Sequence, residues 1–273
     1  MTDEGVPPAD TRPAVPHIDT SVPHSARFWN YMLGGKDNYA PDQEVGEYIK
    51  AHHPGLVDVA RCSRRFLGRA VRFLVNEQGV RQFLDVGTGL PTAGNTHEVA
   101  QQADPTARIV YVDNDPLVLA HASALLKSSP EGATDYLDAD VREPEEILRR
   151  AAKTLDLSQP VALVLMGIMG HIEDIAEVKD LIRRYLGGLP SGSYLVHYDG
   201  TSTSEAMLRA QEDYRNSGAV PYYVRTVAEV EAAFEGLELV EPGVVRVTDW
   251  RPDGPEEVVA PPVDAYGGVA RKP

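Results

Sequence analysis

A chain of 273 residues with 42% hydrophobic and 25% charged content has the length and balance of one water-soluble globular unit with a large core. Its 26 basic and 41 acidic side chains leave a formal net charge of −15, which argues against nucleic acid as a partner, because phosphate backbones are drawn by positive fields. Cys62 alone allows no intrachain disulfide, and no run reaches the ~20 apolar residues of a membrane span, so a cytoplasmic protein without a membrane partner is expected.

Residues 1–16 hold four prolines, three acids and almost no large apolar side chain. Such a segment cannot bury enough surface to offset ordering entropy, and it reads as a disordered tail lacking the pattern of a signal peptide. From 17 to 58 the chain is polar, aromatic and turn-rich, broken at Gly34-Gly35 and Pro41. There Arg27, Asn30, Tyr31, Lys36, Asn38 and Tyr39 stand among Phe28 and Trp29 on a glycine-hinged stretch. They predict a lid that lies over a ligand mouth and touches substrate, or else an amphipathic helix whose aromatics pack on a sheet. A helix follows over 59–76. Cys62, Phe66, Ala70, Phe73 and Leu74 form its apolar stripe, with Arg61, Arg65, Arg69 and Arg72 on another side.

Next comes an alternation. Strand-like runs at 82–86, 108–112, 135–137, 161–166 and 194–198 are separated by helix-like stretches at 92–103, 116–128, 144–154 and 175–186. That is the pattern of a parallel sheet covered on both faces. Helices are expected near 204–216 and 227–234, then two strands, 238–241 and 244–248, joined as a hairpin by Pro242-Gly243. The expected class is α/β: a Rossmann-like, seven-stranded, mostly parallel sheet with a C-terminal antiparallel hairpin and helices on both faces, formed by 17–273 as one domain.

The run Phe83-Leu84-Asp85-Val86-Gly87-Thr88-Gly89 carries an apolar strand into a glycine turn before a helix. Ligands of open α/β sheets bind beyond the carboxyl ends of strands, and Gly87 and Gly89 let the backbone approach one without Cβ clashes. A dinucleotide site needs a third small residue at the place of Thr92, and Asp85 would repel a pyrophosphate while suiting a sulfonium ligand that bears an ammonium group. Asp113 ends the second strand, where a carboxylate can accept from both ribose hydroxyls, with Asn114 beside it and Asp115 capping the next helix. Asp140 is placed to meet an adenine amino group with Val141 on the ring, or is a plain turn aspartate. The fourth strand opens at Met166 and Gly167, whose neighbourhood leaves room for a ligand. His171 follows as a general base or as a rim histidine. Tyr31 and Asp199 are further candidate bases, and His197, Tyr198 and Asp199 make a second cluster at the rim. No metal site is expected.

The set Asp85-Val-Gly-Thr-Gly, Asp113, Asp138-Ala-Asp140 and the His171 segment resembles class I methyltransferases, whose parallel core also ends in an antiparallel pair. The stretch Ser25-Ala-Arg27-Phe-Trp29-Asn30-Tyr31-Met-Leu-Gly34-Gly35-Lys36-Asp37-Asn38-Tyr39 and the closing Tyr266-Gly267-Gly268-Val-Ala-Arg271-Lys272 are more specific. Over 18–273 they resemble a bacterial S-adenosyl methyltransferase family. The resemblance implies S-adenosyl-L-methionine as methyl donor and S-adenosyl-L-homocysteine as product. It implies Asp85, Gly87, Gly89, Asp113, Asn114, Asp140 and Val141 as donor contacts, with Met166 or Gly167 beside the ligand. It names no acceptor; a small molecule is expected. A non-catalytic module binding donor or product, and an NAD-dependent oxidoreductase, are the alternative readings.

Overall fold

Five parallel strands carry the core of the computed structural model, which describes residues 18–125, 127–254 and 262–273. They are β1 (Gln82–Val86), β2 (Arg108–Asp113), β3 (Ala133–Asp138), β4 (Ala162–Met166) and β5 (Tyr194–Gly200). The tail expected at 1–16 lies outside the described residues. Apart from β3, these strands are almost wholly buried, as a sheet covered on both faces requires, and alternate side chains serve opposite faces. Leu84, Val110, Leu163 and Leu165 enter one core with α6 (Pro144–Ala151) and α7 (Ile175–Gly187). Phe83, Ile109, Tyr111 and Val164 enter the other with Phe66, Leu67 and Leu74 of α3 (Gly55–Asn76). Each such side chain, fully buried, contributes about 1.5–3 kcal/mol.

The strand order is β3-β2-β1-β4-β5, continued by β8 (Ala265–Arg271) antiparallel to β5 and then β6 (Glu238–Leu239). Helices α4 (Thr96–Ala103) and α5 (Pro116–Leu125) follow β1 and β2. The order reverses between β1 and β4, and the crevice beyond that switch point is where an open α/β sheet takes its ligand.

The α/β class stands, with one difference in its closing strands. The segments expected as a hairpin form only β6 and the short β7 (Val245–Arg246), and each pairs with β8 rather than with the other. The sheet therefore has eight strands. Gly267 and Gly268 hide β8 in the sequence, because glycine depresses strand propensity. Packing demands them: a Cβ on Gly267 would overlap the His197 carbonyl oxygen and the Tyr198 side chain.

Helix α3 begins at Gly55, ahead of the expected 59. Arg61 and Arg65 face solvent, but Arg69 is buried. Its Nε donates to the Trp250 carbonyl oxygen at 2.8 Å, and its terminal nitrogen donates to the Val247 carbonyl oxygen. These bonds fasten the C-terminal segment to α3, where Trp250 lies edge-on to Phe66 and Phe73.

Ahead of α3, α1 (Ser25–Met32) and α2 (Ala40–His52) pack through Phe28, Met32 and Ile49 against Ala60 and against Tyr214 of α8 (Glu205–Asn216). Asp42 is wholly buried between them, accepting from the His24 and Tyr39 amides at 2.8 and 2.9 Å, with Arg27 Nε 3.6 Å away. One carboxylate thus ties the entry of α1 to the start of α2. Among the described residues no helix is long and apolar enough to cross a membrane.

Candidate functional site

The chain leaves β1 through Gly87 and Gly89, with φ of +73° and +67° in the left-handed region that side chains disfavour. The amide of Gly87 donates to the Val112 carbonyl oxygen at 2.8 Å, and the amide of Gly89 donates to Asp113 Oδ2 at 2.8 Å. The glycine loop is therefore locked to the end of β2. The other Asp113 oxygen accepts from the Asp115 amide at 3.0 Å, and Asp115 caps α5 by accepting from the Leu117 amide at 2.9 Å. Asp115 also lies 3.0 Å from His24 Nδ1.

A cleft of about 280 Å³ opens over these strand ends. Asp85, Gly87, Gly89, Asp113, Asn114, Asp140, Val141, Met166, Gly167 and His171 all line it. Burial pushes the Asp85 carboxyl up to about 6, although the Thr96 hydroxyl donating at 2.6 Å and the nearby Arg64 charge oppose the rise. Burial also raises Asp113. At Asp115 burial pushes upward too, but the bond and charge of His24 outweigh it and leave the group below its ordinary value. Asp140 accepts from the Arg142 amide at 2.8 Å, and the Tyr185 hydroxyl donates to the Val141 carbonyl oxygen at 2.9 Å. These bonds fix the corner between β3 and α6, so the turn role of Asp140 and its place on the cleft wall coexist.

His171 ends a 3-10 turn, Ile168–His171, that follows Gly167. Its Nδ1 is 2.9 Å from the Pro221 carbonyl oxygen and its Nε2 is 2.9 Å from the Ser25 hydroxyl. A carbonyl only accepts, so Nδ1 carries the hydrogen and Nε2 presents a lone pair to Ser25. Burial lowers the His171 pKa, which keeps the ring neutral at pH 7. A neutral imidazole with Nε2 aimed across a cleft can take a proton from a hydroxyl.

Of the six residues expected on the lid face, Asn30 lines the cleft and the other five do not. Arg27 is buried, donating to the carbonyl oxygens of Asp19 and Val22. The Tyr31 hydroxyl donates to Glu47, and Lys50 Nζ sits 3.7 Å over its ring. Asn38 donates to Asn30 Oδ1 at 2.9 Å, Tyr39 packs with Ala26 and Leu90, and Lys36 is exposed. The glycine pair has a structural use. Gly34 reverses the chain at φ +81°, and a Cβ on Gly35 would overlap the Asn30 amide, which accepts from the Asp37 amide at 3.0 Å. Asp199 is likewise engaged away from the cleft: it is buried, 3.6 Å from His197, and accepts from the Tyr222 hydroxyl at 3.2 Å. Of the rim cluster, Tyr198 alone lines the cleft.

Sequence reasoning missed His24, Ser25, Trp29, Arg64, Thr92 and Tyr222 as cleft residues. Arg64 donates to the Gly94 carbonyl oxygen at 3.0 Å, while its Nε is buried without a partner, as is the Thr92 hydroxyl. Two unpaired polar groups on one wall fit an anionic ligand group. Arg64 was hidden as one more arginine on a long helix, and Tyr222 lies far along the chain from His171 in a stretch with no pattern. Ser25 and Trp29 stood in the N-terminal signature without a role.

A family model described as S-adenosyl methyltransferase matches residues 11–273. The chain is similar to a solved DUF574 family protein from Streptomyces avermitilis, at 44% identity over 94% of this chain and 100% of that one, with a TM-score of 0.90. It is similar also to a protein from Thermobifida fusca designated a candidate methyltransferase, at 41% identity over 93% and 96% of the two chains, with a TM-score of 0.86. No curated protein matches the chain.

Proposed function

The chain belongs to the S-adenosyl methyltransferase family, and from that premise we propose that the cleft over the strand ends holds S-adenosylmethionine for methyl transfer to a small-molecule acceptor. The protein is an S-adenosylmethionine-dependent methyltransferase of class I fold; the residue roles and the acceptor class are our reading. The observation that carries the reading is the Asp113 carboxylate, held against the glycine loop by the Gly89 amide at the sheet's switch point.

The donor supplies an activated methyl group on a sulfonium, so the protein's task is alignment and proton removal. Asp113 and Asn114 hold the ribose hydroxyls, and Asp140 and Val141 take the adenine. Gly87 and Gly89 admit the ligand close to the backbone. Asp85 faces the ammonium of the amino-acid end, while Arg64 Nε and the Thr92 hydroxyl, buried without partners, receive its carboxylate. Met166 and Gly167 line the wall between that end and His171, whose Nε2 takes the acceptor's proton. A pyrophosphate at the glycine loop would meet the Asp85 carboxylate, which speaks against a dinucleotide. The segment 18–58 caps the cleft through α1, and the net charge of −15 favours a small acceptor over nucleic acid.

Calorimetric titration with S-adenosylhomocysteine and with 5′-methylthioadenosine, which lacks the amino-acid end, tests this assignment. Arg64→Ala should weaken the first by about 10- to 100-fold, the worth of a charged hydrogen bond, and leave the second unchanged. Equal weakening of both would remove Arg64 from the amino-acid end.

A further inference from the structure

A second, smaller cavity opens off the donor cleft beneath α1, and Ser25, Trp29, His171, Tyr198 and Tyr222 line both. We propose that it is the acceptor subsite and that the acceptor is a compact, uncharged aromatic hydroxyl compound methylated on oxygen. The proposal rests on the reading of the larger cleft as the donor site.

Phe28, Trp29, Tyr198, Tyr214 and Tyr222 supply ring faces and edges to the cavity, and Met207 and Ala210 of α8 close its far side. Stacked or edge-on ring pairs contribute about 0.5–1.5 kcal/mol each, so these walls favour a flat ring. The cavity is small, about 40 Å³ against about 280 Å³ for the cleft it opens from, and it excludes a polymer. Among the described residues that line it there is no Asp, Glu, Lys or Arg. A buried carboxylate would lack a counter-charge and pay the full desolvation penalty, and an ammonium would have only the ring faces to offset it. Transfer to a neutral amine would form the cation on the acceptor nitrogen itself before Nε2 could take its proton. A phenolic hydroxyl enters neutral and its ether product is neutral, so the charge appears on His171 at the cavity mouth and not on the acceptor.

The polar groups stand where such a hydroxyl must react. His171 Nε2 accepts from Ser25 at 2.9 Å at the junction of the two cavities. The Tyr214 hydroxyl is buried, makes no well-formed hydrogen bond, and has Ser25 as its polar neighbour. An entering hydroxyl replaces Ser25 as donor to Nε2, and Ser25 turns to the unpaired Tyr214 hydroxyl. In the transfer the acceptor's O–H bond breaks and its proton passes to Nε2. The oxygen lone pair forms the bond to the methyl carbon as the carbon–sulfur bond breaks, leaving its electron pair on sulfur. The sulfonium charge becomes an imidazolium charge, and that proton then leaves for solvent.

The test titrates 4-methylphenol, benzylammonium and benzoate into the protein loaded with S-adenosylhomocysteine, and follows labelled-methyl transfer to 4-methylphenol. The expected order is 4-methylphenol at least tenfold tighter than either ion, with methyl appearing on its oxygen. Ala210→Phe, which fills the cavity, should abolish that binding and leave S-adenosylhomocysteine affinity within threefold. If Ala210→Phe fails to fold, Val59→Phe fills the cavity from the α3 side. Binding of either ion as tight as the phenol, no phenol binding, or phenol binding unchanged in a folded filled variant would overturn the subsite. Absence of S-adenosylhomocysteine binding to the unaltered protein would instead overturn the donor-site reading, and the subsite with it.

Discussion

The donor side of the cleft is made by backbone at the ends of neighbouring strands, whereas the proposed acceptor side is made by side chains brought from α1, α3, α8, β5 and the stretch around Tyr222. On the first side, Gly87, Gly89 and Asp113 sit within short runs whose geometry follows from a strand meeting a turn. On the second, Ser25 and His171 stand 146 positions apart in sequence yet share a hydrogen bond. A site made of local turns can be altered piece by piece. A site made of distant helices depends on the packing that assembles it.

Removing that packing should give the largest effect. Asp42→Ala leaves Arg27 without its buried carboxylate partner and two amides without an acceptor, and it should destabilise the cap by about 3–5 kcal/mol. Hydrogen exchange should rise through α1 and α2 while β1, β2 and β4 stay protected; uniform loss of protection would erase the distinction between the two sides. Next in size, His171→Ala should lower turnover by about 10²–10⁴ while S-adenosylhomocysteine affinity holds. Unchanged turnover would remove His171 from the chemistry. Burial lowers its pKa, so the neutral ring persists below pH 6.5 and the acid limb of turnover should fall under that value. A limb above pH 6.5 would assign the titration to another group.

Gly267→Ala tests the edge shared with β5 and should cost about 1–3 kcal/mol, read as a fall in Tm, since the new Cβ meets the His197 carbonyl oxygen. An unchanged Tm would show that β8 shifts freely there. The smallest effect concerns Asp85. Its folded value, about 6, lies above the unfolded value near 4, so folding favours the protonated form. That stability is whole below about pH 4 and is lost as pH rises through about 6. Ligand binding runs the other way if an ammonium faces the carboxylate. S-adenosylhomocysteine affinity should fall by up to about tenfold from pH 7 to pH 5, and Asp85→Asn should flatten both trends.

The same contrast sets what the sequence could reveal. The parallel core was legible because apolar runs alternate with amphipathic ones, and the glycine loop because glycine and aspartate at a strand end have few other uses. Strand β8 was not, since Gly267 and Gly268 serve close approach to β5 rather than propensity. Of the polar residues in and after α1 read as substrate contacts, Asn30 lines the cleft, and its amide also builds a turn with Gly35 and Asn38. Arg69, placed with Arg61, Arg65 and Arg72 off the apolar stripe, holds the C-terminal segment by its carbonyls. Arg64 and Tyr222 acquire meaning only when the fold sets them beside Asp85 and His171.

The most direct measurement of the central claim is calorimetric titration of S-adenosylhomocysteine into the protein and into Asp113→Ala. Micromolar binding to the first, weakened at least 100-fold in the second by loss of the ribose acceptor, is the predicted result. Equal affinity for both proteins, with each folded by circular dichroism, would contradict the placement of the donor at the end of β2.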